Sequence, residues 1–263
     1  ANTIVSAGIK KVVIANRDPF AAVDGRGIKI LQDKGIEVIS GLLEKEGAEL
    51  NKRFFTFHHK KRPFVILKWA QTQDGFIDRI RNQDESPLII SNSENSALVH
   101  LWRSEESAIM VGAHTVLMDN PSLTVRNVNG KNPIRICVDN EKTEIEWSKF
   151  NLTDQSAPTL IYNKTKSKKI ENCEFISLPS LSLNNILQDL HSRNIQSIII
   201  EGGSKLLNSF IELDLWDEAR ISTGTIKIEV GVEAPRIKGE LKSNFSCGDK
   251  CNVSVFSPHN IEE

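Results

Sequence analysis

Short apolar runs alternate with amphipathic stretches along the chain. The apolar runs are rich in β-branched residues and have the length of buried strands: KKVVIAN, IEVIS, FVILKWA, PLIIS, AIMVG, NPIRICVD, TLIYN, CEFISL, QSIIIE, DEARIST and NVSVFS. Helical patterns lie between them: GRGIKILQDKG, LLEKEGAELNKRFFTF, SNSENSALVHLWRSEES, LSLNNILQDLHSRN and the segment after Gly203. Strands alternating with helices predict an α/β layer.

Several of these helical patterns carry boundary or packing signals. Gly35 closes the first one, as a C-terminal glycine does. Ser91 precedes Glu94 by the spacing of a capping box. Two predicted core-facing stripes follow: Ala97, Leu98, Leu101, Trp102 and Glu105 in one helix, and Leu183, Ile186, Leu187 and Leu190 in another.

The basic segment HHKKRP, residues 58–63, is the best linker candidate because it is polar and ends in proline. It predicts a boundary between a domain of residues 1–60 and a domain of residues 61–263. The first domain reads as a βαβα pattern, whose second helix has apolar positions at Leu42, Leu43, Leu50 and Phe54.

Composition narrows the class of protein. The 263 residues are 39% hydrophobic and 25% charged with a net charge of −1, which is ordinary for a globular protein and gives no sign of a nucleic-acid partner. No apolar run has the roughly 20 residues of a membrane helix, and no signal peptide opens the sequence. We therefore predict a cytoplasmic protein.

The cysteines give little sign of a metal. Cys137 lies in an apolar strand and is predicted to be buried, and Cys173 stands apart from the others. Cys247 and Cys251 lack a second Cys/His pair at matching spacing, so reduced thiols are favoured over a zinc site.

Polar or glycine-rich segments follow four of the predicted strands: residues 71–75, residues 113–121, Asn140 and residues 202–204. In open α/β sheets, ligands bind beyond the carboxyl ends of the strands. The last segment continues from Glu201 into a helix start that suits a phosphate, but a GG turn by itself is more often only a turn. It matches neither a Walker loop nor a Rossmann glycine motif.

Three cations and three carboxylates are candidates for this site. Lys68 within an apolar strand indicates a face open to a site, or else an edge strand. Arg103 on a helix and Arg126 after an Asn-Pro turn could clamp a phosphate, or Arg103 could be a surface residue. Asp74, Asp119 and Glu201 each fit either a site or a cap or turn.

The remaining candidates favour structural roles. His114 fits a loop or a helix start better than a catalytic position. Trp69, Trp102 and Trp216 fit the core better than a stacking surface.

Four stretches occur in order: LKWAQTQDGFI, HLWRSEESAIMVGAHTVLMDNPSLTVR, NPIRICVD and IIIEGGSKLLNSFIELDLWDEARI. Together they closely resemble the reductase half of the bifunctional riboflavin biosynthesis deaminase–reductases, from about Arg62 to Arg236. The resemblance implies a dihydrofolate-reductase-like α/β fold. It also implies NADPH-dependent reduction of 5-amino-6-(5-phosphoribosylamino)uracil to the ribitylamino compound.

The resemblance assigns roles to individual positions. Cofactor contacts fall on Ala70, Ile89, Thr115, Asp119, Asn140, Gly203, Ser204, Lys205, Leu206, Leu207, Asn208 and Ser209. Substrate contacts fall on Ser86, Arg103, Leu123, Arg126 and Glu201. Lys68, Asp74 and Glu201 are the catalytic candidates. Ile89 stands where the family often has a tryptophan, so any contact there would use the backbone. The serine alignment falls between Ser86 and Pro87.

The first 60 residues resemble the end of the family's zinc deaminase domain through GIKKVVIANRDPF, VDGRGIKILQDKGIEV and LNKRFF. The H-x-E and P-C-x-x-C motifs that hold zinc are missing from this sequence. The resemblance places the last zinc cysteine just before Ala1. We therefore expect a truncated deaminase segment that does not deaminate, with zinc bound only by the complete domain.

Two alternatives remain beside this prediction. One is a dihydrofolate-reductase-like enzyme with another substrate, and the other is a non-catalytic nucleotide-binding module. The resemblance also implies a homo-oligomer that binds a phosphoribosylated aminopyrimidine.

Overall fold

The computed structural model describes residues 1–20, 23, 25–140 and 144–259. Contacts divide the chain into two compact units, Ala1–Phe64 and Val65–Glu263. This division falls a few residues beyond the predicted boundary at 60/61. The assignment of the first unit to a deaminase domain stays a prediction.

The first unit contains four helices and two strands in its described residues: α1 Asn2–Ser6, β1 Lys11–Ile14, α2 Arg26–Asp33, β2 Glu37–Ser40, α3 Glu44–Leu50 and α4 Lys52–Lys60. β1 pairs in parallel with β2, from Lys11 opposite Glu37 to Ile14 opposite Ser40. Gly35 follows α2 with φ of +73°, which confirms the glycine predicted to close that helix.

The helix predicted over residues 42–57 is instead two helices, which meet at Asn51. The Asn51 side chain donates to the Gly47 carbonyl at 3.0 Å, and the Asn51 N–H donates to the same carbonyl at 3.1 Å. α4 then continues to Lys60, so the predicted linker begins inside a helix. His58 packs on Phe54 one turn earlier, with 4.4 Å between ring centroids, which stabilises this last turn.

The apolar positions predicted for that helix are largely wrong. Leu42 and Leu43 lie before α3 and are exposed, and Leu50 is 83% exposed. In α4 the buried residue is Phe57.

The second unit contains the remaining elements, with β3 entering from Phe64: β3 Phe64–Gln71, β4 Phe76–Asp78, α5 Ser93–Glu105, β5 Ala108–Gly112, α6 Ala113–Asp119, β6 Ile134–Val138, β7 Thr159–Asn163, β8 Lys168–Ile170, β9 Cys173–Ser177, α7 Leu183–Ser192, β10 Ser197–Ile200, α8 Ser204–Glu212, β11 Glu218–Gly224, β12 Val232–Glu233, β13 Gly239–Ser246 and β14 Cys251–Pro258. Two short 3-10 helices cover Trp147–Lys149 and Asn151–Thr153.

Ten of the described strands form one sheet in the order β13-β14-β11-β3-β10-β5-β6-β7-β9-β8. The pairs β11–β3, β10–β5, β5–β6, β6–β7 and β7–β9 are parallel, and the two edges end in antiparallel pairs. The predicted α/β class is confirmed. The parallel strands β10, β5, β6 and β7 bring their carboxyl ends to one side of the sheet.

The core lies on the central strands. Val65, Leu67 and Trp69 of β3 share one core cluster with Ile198 and Ile200 of β10. All four members of the stripe predicted for α7 are buried, as are the three tryptophans predicted for the core. Cys137 is buried as predicted, and all four cysteines are free thiols.

The structure corrects the prediction around α5. PLIIS is not a strand, because Ile89 is 84% exposed and the Leu88 N–H donates to the Asp78 side chain at 3.1 Å. Asn92 caps α5 in place of Ser91, and its side chain accepts from the Asn95 N–H at 2.9 Å. Within α5, Leu101 is exposed, whereas His100 and Trp102 are buried.

The sequence pattern did not predict several elements: α6, β4, β8, β12 and β13. Strand β13 was missed because seven of its eight residues are exposed, so its sequence has no apolar run. It is a strand because its backbone pairs with β14.

Candidate active site

A cleft of about 950 Å³ opens at the ends of β3, β10, β5 and β6. Twelve of the predicted site residues line it: Lys68, Ala70, Ile89, Thr115, Asp119, Asn140, Glu201, Gly203, Ser204, Lys205, Leu206 and Ser209. Seven others do not line it: Asp74, Ser86, Arg103, Leu123, Arg126, Leu207 and Asn208. The cleft therefore gathers residues from strand ends that are far apart in sequence.

Glu201 follows β10 and lies at the centre of a buried ion network. Its two carboxylate oxygens accept from Nε and Nη2 of Arg103, each at 2.8 Å, in the bidentate geometry of a strong pair. Lys68 Nζ lies 3.5 Å from Glu201 Oε2. The side chains of Lys68, Arg103 and Glu201 are only 13%, 12% and 10% exposed.

This network fixes the charge of Glu201. Burial raises the pKa of the Glu201 carboxyl, but the charges of Arg103 and Lys68 and their hydrogen bonds lower the pKa to about 2. Burial also lowers the pKa of Arg103, and the charge of Glu201 more than offsets this, so the pKa lies above its usual value. Both groups are ionised at neutral pH.

Two alternatives left open by the sequence are settled by these positions. Lys68 is not on an edge strand, because β3 lies between β11 and β10 in the sheet. Arg103 is not a surface residue, because its guanidinium is buried against Glu201.

The loop after α6 lies against the same network. Arg103 Nη1 donates to the Thr124 carbonyl at 3.4 Å, and the Arg126 N–H donates to His100 Nδ1 at 3.2 Å. Leu123 is buried and has φ of 53°, a conformation uncommon for leucine. The Arg126 side chain is exposed. Arg103 is thus bound to Glu201, and its predicted part in a phosphate clamp stays a prediction.

His100 is a buried neighbour of the site that the sequence reading missed. Burial lowers the pKa of its imidazole, and the charges of Arg103 and Arg126 lower it further. A neutral Nδ1 can accept the Arg126 N–H, so the imidazole helps to position this loop. Its place in an otherwise ordinary helical pattern gave no signal.

The glycine turn after Glu201 leads directly into α8. Gly203 is the N-terminal cap residue of this helix and supplies no side-chain hydrogen bond to it. Its own N–H donates to the Thr115 hydroxyl at 3.2 Å, which joins the turn to the start of α6. The first turn of α8 therefore presents backbone N–H groups and a positive dipole end toward the cleft.

Two predicted positions within α8 do not line the cleft. Leu207 is fully buried in the core. Asn208 donates to the Ser204 hydroxyl at 3.2 Å. Their assigned cofactor contacts stay predictions.

Asp74 serves a turn outside the cleft. Its Oδ2 accepts from the N–H groups of Ile228 and Glu229 at 3.0 and 2.9 Å, and its Oδ1 accepts from the Thr72 hydroxyl at 2.6 Å. The Thr72 bond is the main cause that lowers the pKa of this carboxyl. These contacts indicate that Asp74 holds two loops together, and its predicted catalytic role stays a prediction.

Arg81 lines the cleft and was not predicted from the sequence. It pairs with Asp78 at 2.6 Å and also with Asp119, and its side chain is 5% exposed. Arg79 lies beside it in the cleft lining, and its Nη2 donates to the Ser86 carbonyl at 3.0 Å. The stretch IDRIR after the QDGF turn was the available signal.

No group of three or more His, Cys, Asp or Glu side chains in the described residues could hold a metal ion. The expectation that zinc belongs to a complete deaminase domain is not tested by this structure. Among the helices of the described part, none is long and apolar enough to cross a membrane.

The sheet and its cleft define an α/β domain whose cleft lies at strand ends, beside a buried ion network and a glycine-led helix start. The model of the RibD C-terminal domain matches residues 63–228, more than half of the chain. The chain belongs to this family, as the resemblance predicted.

Full-length relatives carry the same similarity. The chain is 36% identical to the riboflavin biosynthesis protein RibD of Aquifex aeolicus over 94% of this chain and 67% of that protein. It is 36% identical to RibD of Actinobacillus pleuropneumoniae over 81% of this chain and 58% of that protein. The chain thus spans roughly two thirds or less of such relatives.

Solved structures of similar proteins have the same fold. A diaminohydroxyphosphoribosylaminopyrimidine deaminase/5-amino-6-(5-phosphoribosylamino)uracil reductase from Thermotoga maritima is 32% identical, with a TM-score of 0.85 over 98% of this chain and 74% of that chain. A riboflavin biosynthesis reductase from Saccharomyces is 21% identical, with a TM-score of 0.57 over 80% of this chain and 99% of that chain, and shows the shared fold alone. The predicted α/β reductase fold is confirmed.

Proposed function

We propose that the second unit reduces 5-amino-6-(5-phosphoribosylamino)uracil to 5-amino-6-(5-phosphoribitylamino)uracil with NADPH. The observation that carries the proposal is the ionised Glu201, held between Lys68 and Arg103 directly before the glycine-led start of α8. Substrate-binding charges and an anion-binding helix start thus occupy adjacent residues. The similarity to the Thermotoga maritima reductase supports the same reaction.

The residues present fit a dinucleotide cofactor. The start of α8 lacks a side-chain cap, and a Cβ added at Gly203 would meet only Thr115 Oγ1, at 3.6 Å, so space remains above the turn. A pyrophosphate at this turn would accept from the backbone N–H groups of Ser204 and Lys205. Ala70, Thr115 and Asn140 would hold the rest of the molecule. NADPH, when bound, supplies the hydride.

The chain's own groups would then orient the sugar. Opening of the ribosylamine gives an imine at the sugar C1′, the carbon that gains hydrogen in the product. Lys68 is within hydrogen-bond distance of Glu201 through one N–H and has others to offer a sugar hydroxyl, while Glu201 can accept from one. Both groups are held in place before the substrate binds, which favours a productive geometry.

Arg126 is the arginine we assign to the ribose 5-phosphate. Its side chain is exposed, and its backbone is anchored to His100. A guanidinium on a fixed loop suits a phosphate. Arg103 acts through Glu201 in this proposal, because its Nε and Nη2 already donate to that carboxylate.

The proposal extends to the rest of the protein. We infer that the first unit is the end of a zinc deaminase domain, and that the complete protein also deaminates the preceding pyrimidine intermediate. The relatives' greater length supports this inference. Assembly into a homo-oligomer is proposed from the family resemblance, and a cytoplasmic location from the sequence prediction.

Steady-state kinetics of the 263-residue chain test the reductase proposal. NADPH should be consumed with the aminouracil ribose phosphate and not with dihydrofolate. Arg126→Ala should raise KM for that substrate about 10- to 100-fold, because a charge-assisted contact contributes about 1.5–3 kcal/mol. Lys131→Ala, which removes an exposed charge from the same loop, should leave KM unchanged. NADPH binding without turnover would contradict the proposal.

A further inference from the structure

Arg81 differs from the rest of the loop that carries it. The loop of residues 79–87 follows β4, and every residue in it except Arg81 is exposed. The Arg81 side chain is only 5% exposed. A cationic side chain is rarely buried unless it is paired and hydrogen-bonded. The burial of this one side chain therefore indicates a specific set of partners.

The guanidinium of Arg81 binds two carboxylates and two carbonyls. Nε donates to Asp78 Oδ2 at 2.6 Å, and Nη2 donates to Asp119 Oδ1. Nη1 donates to the carbonyls of Glu85 and Met118, at 2.9 and 3.4 Å. Asp78 is the last residue of β4 and Asp119 is the last residue of α6, so Arg81 ties the end of a strand to the end of a helix.

The loop around Arg81 is fixed at its base and at its tip. Asp78 Oδ1 accepts from the N–H groups of Arg79 and Leu88, at 2.9 and 3.1 Å, which closes the base of the loop. Near the tip, Gln83 Nε2 donates to the Leu117 carbonyl at 2.9 Å. The last carbonyls of a helix lack partners within it and attract cations, so the end of α6 is a suitable anchor for this loop.

Asp119 lies one helical turn from the residue that contacts the glycine turn. Thr115 precedes it by four residues on the same face of α6, and the Thr115 hydroxyl accepts from the Gly203 N–H. Both Thr115 and Asp119 line the main cleft. One turn of an α-helix rises about 5.4 Å. This is about the reach from a pyrophosphate bound at Gly203 to the hydroxyls of an attached ribose.

The Asp119 carboxylate has one oxygen engaged and one available. Oδ1 accepts from Arg81, whereas Oδ2 accepts from no residue that the structure describes, and the side chain is 31% exposed. One guanidinium neutralises both Asp78 and Asp119, which would otherwise repel each other.

We infer that Arg81 is a positioning residue for the cofactor. It holds Asp119 in the cleft so that Oδ2 accepts a hydrogen bond from a ribose hydroxyl of NADPH. This inference rests on the proposed function, in which the dinucleotide lies at the start of α8.

Calorimetric titration of the full chain with NADPH tests the inference without turnover. Arg81→Met keeps an apolar stem but removes the charge, and it should weaken NADPH about tenfold, as for one hydrogen bond to a charged group. Arg81→Lys keeps a cation that can pair with Asp119, and it should bind within about threefold of the unaltered chain. Arg193→Met is the matched control, because Arg193 also pairs with two carboxylates, those of Glu174 and Asp189, but outside the cleft.

A double-mutant cycle separates positioning from a general loss of structure. If Arg81 acts through Asp119, Arg81→Met should change NADPH affinity less than about twofold in a chain that already carries Asp119→Asn. Additive losses would overturn the inference, as would a tenfold loss in Arg193→Met or no loss in Arg81→Met. Thermal unfolding of each variant checks that the fold is retained.

Turnover distinguishes this inference from the proposed function. Arg81→Met should raise KM for NADPH about tenfold and leave kcat within about twofold, because the lost interaction serves binding. A tenfold fall in kcat with an unchanged KM would overturn the positioning role. If NADPH affinity depends on Arg81 through Asp119 but the aminouracil compound is never reduced, the proposed function fails and the positioning role stands. If reduction proceeds and Arg81→Met binds NADPH normally, the positioning role fails alone.

Discussion

Two neighbouring parts of the site hold their polar groups in opposite ways. In the ion network, Glu201, Arg103 and Lys68 are at most 13% exposed, and both cations lie against the single carboxylate. At the helix start, α8 has no side-chain cap, and Lys205 beside it is exposed. The ion network is preorganised by internal pairing, while the helix start has donors available to a ligand.

This difference has an energetic consequence. Removing one member of a buried ion network lowers the free energy of unfolding, because the remaining charges stay desolvated without a partner. Uncapped N–H groups at a solvated helix start lower the stability of the fold only a little, since water accepts their hydrogen bonds until an anion binds. Substitutions in the ion network should therefore change the free energy of unfolding, and those at the helix start should change ligand affinity alone.

Glu201→Gln should have the largest effect on stability. The change keeps the shape of the side chain but leaves Arg103 and Lys68 without a counter-charge. We expect the free energy of unfolding to fall by about 3–5 kcal/mol, as for the loss of one partner of a buried pair. Urea unfolding at neutral pH measures this.

Glu174→Gln is the control for that substitution. Glu174 pairs with Arg193 at a site where both side chains are 31% exposed, so its loss should change stability by less than about 1 kcal/mol. A similar loss in both variants would contradict the contrast between buried and exposed pairs. Reductase turnover should disappear only in Glu201→Gln.

The pH dependence of stability should show the same network. The pKa of Glu201 is lowered from its usual 4.5 to about 2 in the folded chain. In the unfolded chain the carboxyl takes up a proton at a higher pH, so the stabilisation is complete above pH 4.5 and is lost as the pH falls toward 2. The difference between the unaltered chain and Glu201→Gln should shrink by about 3 kcal/mol over this window. A constant difference would show that Glu201 is not held ionised.

The sequence predicted the parts of the fold that rest on local pattern. The stripe of α7 and the apolar runs of the central strands are buried as expected, because their periodicity follows directly from burial on one face or on both. Strand β13 and the break at Asn51 were missed, since neither has an apolar signature. The strand predicted at PLIIS was wrong for the opposite reason: the run is apolar, but it lines the cleft with Ile89 exposed and does not pair with the sheet.

The sequence predicted which positions belong to the candidate site, but not the contacts between them. Because polar residues follow the strands of a parallel sheet, Lys68, Thr115 and Glu201 became site candidates through their places within or after apolar runs, and all three line the cleft. The bond from Arg103 to Glu201 joins residues 98 positions apart, and no local pattern encodes such a pair. The same applies to Asp74, whose partners Ile228 and Glu229 are 154 and 155 positions away.

Gly203→Ala should have the smallest effect on the stability of the fold and should still weaken the binding of the cofactor. Gly203 has φ of −65°, and an added Cβ would lie 3.6 Å from Thr115 Oγ1, an ordinary contact, so thermal unfolding should change little. The methyl group would stand where a phosphate meets the start of α8, and we expect NADPH to bind roughly tenfold more weakly, close to the 1–2 kcal/mol of a favourable helix-terminus contact. Gly27→Ala, where an added Cβ has nothing within 4 Å, is the control for both measurements. Unchanged NADPH affinity in Gly203→Ala would place the pyrophosphate away from this turn, and the contrast between the ion network and the helix start would then rest on the ion network alone.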